Sequence, residues 1–517
     1  MKSNPAHLKI QMNKKIDIKN IFIVTFIVTC IFKMYLAAAL PITGDEALFY
    51  VWGKDLTWGY YDHPPMIAWI LWLLSNFSHA LLVIRLPAIL LNHLVVLGII
   101  HLIIKYDPHL KEKAYQLGLI YLLLPISLLS VFITNDISLT LFSCLSIYFF
   151  LKGELFKTEN ILKAKDSLIN YALAGIFTGC AFLSKYLVVV LAFTYFLILV
   201  KNKRYLQLLI LIIFALPFGL MNLAWNLEHC WQNIVFNTVN RADNFVAPWI
   251  GLPEYFLSMA YVLTPLFCKY LWDKRRDFVK YGTLSVLAFL PPLLFAILSL
   301  KQIIGLHWLP PMIPPFMILG GLIFTSEKLI KIRQWVMYIL GVHLIVLALV
   351  LYLPMSTWEG RNFYDKLSLL KDSQKVAQIV QKDMHPDSIL MTMGYSTAAN
   401  FAYQLDTRVP VFGEGGKFAR HDDLNFDFRN LDGKNIRIFD NDPINPEDYK
   451  QFFNHVELVP FTFNKVNYWY MDGSGFKYSV YREQVLKKIA QKYYVIPKYL
   501  PKCQCEFFTK YELENIQ

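Results

Sequence analysis

The sequence predicts a polytopic α-helical membrane protein of about eleven spans, N-terminus in and C-terminus out, with a C-terminal extracytoplasmic α/β domain. Three observations predict it. The chain of 517 residues is 56% hydrophobic and 17% charged, with a mean hydropathy of +0.39, well above that of water-soluble domains. Apolar runs long enough to cross ~30 Å of hydrocarbon, about 20 residues as helix, recur along the first two thirds of the chain. Past Met355 the composition turns polar, dividing the chain into domains at 1–355 and 356–517.

Spans are expected near 21–40, 86–104, 115–133, 137–151, 171–184, 186–200, 206–225, 254–272, 281–300, 308–325 and 335–353. Residues 66–84 are also apolar, but Ser75, Asn76, Ser78 and His79 interrupt them. With Trp69 and Trp72 in the run, it reads as a helix lying in the interface or re-entering. The first run is followed by PITGDEA, without a small-residue cleavage site, and is expected to stay as a span. Orientation follows from the basic residues. With the N-terminus inside, Lys and Arg crowd 1–20, 105–114, 152–170, 201–205, 273–280 and 326–334, whereas the outer loops hold only Lys54, Arg85, Lys185, Arg241 and Lys301. The formal charge of +12 is mostly this inner-face bias, scattered over short loops, and argues against nucleic acid as a partner.

In the tail, residues 355–383 read as a polar amphipathic helix with Leu370, Val376, Ala377 and Val380 on one face. Strand-like runs are expected at 388–393, 408–412, 435–440, 456–461 and 477–482. Cys30, Cys144, Cys180 and Cys268 lie in or beside spans as small hydrophobes. Cys503 and Cys505 form a C-x-C whose own bridge would close a very tight ring, leaving free thiols or a bridge to a partner. No metal-ligand spacing is present, and no cofactor is expected.

Between the first two apolar runs lies GDEALFYVWGKDLTWGYYDHPPM, which sets Asp45, Glu46, Asp62 and His63 at the outer end of the first span. Other polar groups fall at outer ends of other spans: Asn135 and Asp136 in TND, Lys185 in LSKY, Arg241 after the seventh span and His307 before the tenth. Ionisable groups at membrane depth cost a few kcal/mol unless paired or hydrated, so they mark function by default. One alone reads as a solvated loop charge; a set of both signs on one face reads as a site. Transfer of a sugar from a lipid phosphate needs a carboxylate base for the incoming group. It also needs cations for the departing phosphate, which Lys185, Arg241 and His63 could supply. Trp58, Tyr60 and Tyr61 suit stacking on a sugar ring and equally suit anchoring at the interface.

These motifs resemble the GT-C glycosyltransferases, in the branch holding the bacterial aminoarabinose transferases of lipid A and the protein O-mannosyltransferases. There an acidic pair follows the first span and a basic residue precedes Pro-Pro, as Asp45-Glu46 and His63-Pro64-Pro65 do here. His63 stands where the aminoarabinose transferases commonly carry lysine. The resemblance extends to TNDISLTLF, GIFTGCAFLSKY, the loop with Arg241 and HWLPPMIPPF, about 350 residues in all. It implies a bacterial inner-membrane enzyme whose active site and tail face the periplasm. The donor is a polyprenyl-phosphate sugar, and the acceptor is lipid A, another glycolipid or a protein. By the resemblance Asp45 is the general base, and Glu46 supports it or binds acceptor. Lys185, Arg241 and His63 bind the donor phosphate, while Tyr60, Tyr61, Asp62, Asp136 and His307 line the cavity. The tail is expected to shape acceptor access and to add no catalytic group. A transporter of lipid-linked sugars fits less well, because repeated halves and midplane helix breaks are not visible. An O-antigen polymerase or ligase would carry its outer mass between late spans.

Overall fold

Each of the eleven apolar stretches falls on helix in the computed structural model, which describes residues 17–155, 161–240, 247–418, 420–503 and 505–516. Among the described residues, seven helical stretches are long and apolar enough to cross a membrane: Ile18–Ala39, Leu81–Tyr106, Asn135–Glu154, Tyr205–Glu228, Arg275–Leu298, Leu306–Ile323 and Ser326–Tyr352. An eighth is broken. Pro248–Leu263 and Pro265–Asp273 meet at 93° around Thr264, whose φ is +74°, because Pro265 cannot continue the hydrogen-bond ladder. The three remaining stretches fall on apolar helices shorter than a full membrane span. Pro125 ends the helix Lys111–Leu123, and Ser167–Phe182 and Tyr186–Lys201 are separated by the turn that carries Lys185.

Three helices lead into the face that meets the tail: α1 (Ile18–Ala39), α2 (Gly44–Lys54) and α3 (Met66–Ser75). Pro41 breaks the chain after α1, and Thr43 restarts it with a capping box: its hydroxyl accepts the Glu46 amide, and the Glu46 carboxylate accepts the Thr43 amide. The expected interfacial segment is two pieces, α3 and Leu81–Ile84, the second running into the next span. The Met66 amide donates to the Leu183 carbonyl at 3.0 Å, joining the His63 loop to the Lys185 turn.

In the tail the amphipathic segment divides into Tyr364–Lys371 and Ser373–Gln381, with Val376, Ala377 and Val380 fully buried. Four strands, β1 (Ile389–Thr392), β2 (Ile436–Asp440), β3 (His455–Phe463) and β4 (Val466–Ser474), form one sheet in the order β1-β2-β4-β3. The β1/β2 pair is parallel and the others antiparallel. The hairpin turn is Asn464-Lys465, both with positive φ, the twist a two-residue hairpin needs. Two expected strands are corrected. Residues 408–412 make a single bridge, Thr392 to Val411, since Pro410 has no amide and Asp422 takes the Val411 amide. Residues 477–482 open a helical run instead, because Tyr481, Val485, Ile489 and Ala490 recur at helical spacing and are all buried.

The tail core takes in Tyr61, Cys230 and Phe236 from the preceding domain, and Cys230 is disulfide-bonded to Cys505. A second contact docks α4 (Tyr395–Leu405) on α2. A Cβ on Gly44 would lie 1.7 Å from the Ser396 hydroxyl oxygen and 2.7 Å from its Cβ, so only glycine lets these helices meet. Gly44→Ala is therefore expected to push α4 off α2 and lower the melting temperature. Adding Ser396→Gly should recover most of the loss, and no recovery would mean that this close approach is not what Gly44 provides.

Candidate active site

Polar residues that lie far apart in sequence meet in one cavity of about 330 Å³ where helix ends face the tail. Asp45 enters from the first turn of α2, Asp62 and His63 from the following loop, and Asn135 and Asp136 from the start of the helix Asn135–Leu155. Lys185 enters from its turn and His307 and Trp308 from the 3₁₀ turn Leu306–Trp308. Of the candidates named from sequence, Asp45, Asp62, His63, Asp136, Lys185 and His307 line it. Arg241 lies outside the described residues.

Lys185 Nζ donates to Asp136 Oδ1 at 2.8 Å and sits 5.0 Å from the Trp308 ring centre. The two charged side chains are 11% and 10% exposed, so the pair is largely out of water. His307 Nε2 lies 3.8 Å from the other Asp136 oxygen. Asp45 opens into the same space. Desolvation pushes its carboxyl above the ordinary carboxylate range; the Tyr395 hydroxyl and His307 pull it back, while Glu46 and Asp136 push it further up. The helices starting at Gly44, Asn135 and Tyr395 all present N-termini here, an arrangement that favours negative charge.

Glu46, Tyr60 and Tyr61 lie away from the cavity, whereas part of the tail reaches it. Glu46 does not line the cavity. It is fully buried and ion-paired to Arg85 at 2.7 Å, because its capping role turns the carboxylate back toward Thr43. Tyr60 and Tyr61 are also fully buried and present no face to a sugar. Tyr60 stacks on Trp52 at 4.5 Å and donates to the Trp52 carbonyl at 2.8 Å, while Tyr61 packs on Phe236 and accepts from Asn240. The tail, for its part, lines the cavity directly. Phe418 forms part of the wall, and Tyr395, at the start of α4, donates to Asp45 Oδ1 at 3.4 Å. Burial and the Asp45 charge push the Tyr395 hydroxyl up to about 12, so it acts as a donor near neutral pH. His421, by contrast, is buried beside Tyr60 and Trp52, and desolvation lowers it to about 3.

The loop is strapped from behind by asparagines the sequence did not single out. Asn233 donates to the Tyr60 carbonyl at 2.8 Å and Asn237 to the Asp62 carbonyl at 3.2 Å. Their i, i+4 spacing in QNIVFN was the available signal, since it puts both on one helical face.

Comparison with known proteins follows the same lines. A family profile described as dolichyl-phosphate-mannose-protein mannosyltransferase matches residues 62–225. The structure of ArnT from Cupriavidus metallidurans bound to undecaprenyl phosphate superposes with a TM-score of 0.62, covering 88% of this chain and 98% of that one at 14% identity. The chain shares the fold of that ArnT structure. The apo form of the same ArnT also gives a TM-score of 0.62, at 13% identity. A curated relative, the lipid A galacturonosyltransferase RgtD of Rhizobium johnstonii, is 28% identical over 248 residues, 45% of this chain. The match spans about half of that relative, 49% of its length. Among the described residues, no group of three or more His, Cys, Asp and Glu could hold a metal ion.

Proposed function

We propose that this chain is a multi-pass inner-membrane GT-C glycosyltransferase that moves a sugar from a polyprenyl-phosphate donor to a lipid A-type acceptor on the periplasmic side. The observation that carries the reading is the cavity. It places a carboxylate, Asp45, across from the largely dehydrated Lys185–Asp136 pair, where apolar helices end and the tail begins. Asp45 removes the proton from the acceptor group. Lys185, His63 and Arg241 hold the departing phosphate, and Asp136 orients Lys185. Tyr395 steadies Asp45 and brings the tail into the reaction. The lipid A relative and the undecaprenyl phosphate of the ArnT complex support the acceptor and donor classes.

In this reading eleven segments cross or enter the bilayer, N-terminus in and C-terminus out. The Cys230–Cys505 disulfide supports that side for the tail, because such bonds persist in the periplasm and not in a reducing cytoplasm. A reporter active only outside the cytoplasm is expected to work when fused after residue 360 and to be silent near residue 157. The opposite pattern would overturn the orientation. For the reaction, mass spectrometry of envelope lipids from cells with and without the chain should show a pentose, hexose, uronic acid or aminosugar increment on lipid A. The family profile favours a second reading, protein hydroxyls as acceptor; the same increment on envelope proteins, with lipid A unchanged, would select it.

A further inference from the structure

We propose that Arg85 and Glu46 are a positioning pair that sets Asp45 against Asp136, an inference that rests on the reading of Asp45 as the base. Arg85 is fully buried and all of its N–H groups are used. Nε and one Nη2 hydrogen go to the two Glu46 oxygens at 2.8 and 2.7 Å, and the other Nη2 hydrogen goes to the Pro41 carbonyl at 2.9 Å. Nη1 donates to the Ala37 and Leu40 carbonyls, both at 2.8 Å. Those carbonyls belong to the open C-terminal end of α1, where helical partners run out. Glu46 is equally committed. Besides Arg85 it accepts the Thr43 amide at 3.0 Å and the Ile133 amide at 2.8 Å. Ile133 lies three residues before Asp136. One carboxylate therefore fixes the end of α1, the first turn of α2 with Asp45, and the segment that delivers Asp136.

A buried pair of this kind is costly to break from one side, because the remaining charge keeps its desolvation penalty without its partner. A purely cementing role would show only in stability. A positioning role lowers turnover in a folded variant that still binds undecaprenyl phosphate, and Glu46 in addition contributes its charge to what Asp45 feels. The groups facing Asp45 are Glu46 on its own helix, Asp62 and His63 in the loop, Asp136 and Lys185 across the cavity, His307, and Tyr395 from the tail. Only Glu46 changes in Glu46→Gln.

The test uses the full chain in detergent, with the variants Glu46→Gln and Arg85→Lys. Carbodiimide labels protonated carboxyls, and peptide mass spectrometry across pH gives the midpoint for Asp45 with no substrate present. In Glu46→Gln, loss of the neighbouring negative charge should move that midpoint to lower pH. The turnover number should fall roughly 10- to 100-fold from misplacement, with undecaprenyl phosphate binding near wild type. Arg85→Lys keeps the charge but its three donors cannot span five acceptors; its midpoint should stay while turnover falls. An unmoved midpoint in Glu46→Gln, or wild-type turnover in Arg85→Lys, overturns the proposal. If Glu46→Gln does not fold, Arg85→Lys still decides it. Because labelling needs no sugar, a chain that transfers none would refute the proposed reaction and still report on the pair.

Discussion

Asp45→Asn is expected to lower turnover by ~10²-fold or more, the scale of a lost general base, while protein level and undecaprenyl phosphate binding stay near wild type. The substitution keeps shape and removes the proton acceptor. Asp45 opens into the cavity, where its carboxylate accepts one long hydrogen bond, from Tyr395 at 3.4 Å, among the described residues, so little folding energy rides on its charge. The pH profile gives a second readout. Burial raises the Asp45 carboxyl, and a base works ionised, so activity is lost as pH falls through that raised value. The acidic limb of kcat/KM should therefore lie above the ~3.9 of a free aspartate. Tyr395→Phe removes a hydrogen bond that stabilises the charged form and should move that limb to still higher pH. Transfer at the wild-type rate by Asp45→Asn, with a purified polyprenyl-phosphate sugar, would make Asp45 an ordinary loop charge.

How much of this was legible in the sequence depends on the distance over which each contact acts. Asp45, Asp136, Lys185 and His307 could be grouped because apolar length and the Lys/Arg bias place span ends on one face, and a common face needs no three-dimensional detail. The burial of Glu46 beside its own helix start was legible locally. Thr43 and Glu46 have capping-box spacing, which commits the glutamate to its own helix start. Tyr60 and Tyr61 suit sugar stacking or interfacial anchoring by sequence; nothing nearby in sequence announces that His421, Phe236 and Tyr494 will close over them. Tyr395 lies 350 residues from Asp45, and the disulfide joins cysteines 275 apart. Such contacts are fixed by the docking of the tail, which depends on shape, as at Gly44 and Ser396, and leaves no periodic trace.

Lys185→Ala is expected to damage the site in two separable ways. The first is stability. Asp136 is 10% exposed and, among the described residues, would be left with His307, whose Nε2 lies 3.8 Å away, once the Lys185 amine is gone. A carboxylate left in a largely dry place without its amine costs several kcal/mol, about 3–5 for a well-buried pair. The second is donor binding. A charge-assisted hydrogen bond to phosphate contributes about 1.5–3 kcal/mol, so the affinity for undecaprenyl phosphate should fall roughly 10- to 150-fold. The double variant Lys185→Ala/Asp136→Asn separates them. Removing the stranded charge should restore much of the thermal stability, but it cannot restore a cation for the phosphate, so binding should stay weak. Asp136→Asn alone should loosen Lys185 without removing it, giving a smaller binding loss than Lys185→Ala. Melting curves and undecaprenyl phosphate binding on the four proteins complete the cycle. If the double variant recovered binding along with stability, Lys185 would serve only to neutralise Asp136, and the phosphate would have to be held by His63 and the segment around Arg241.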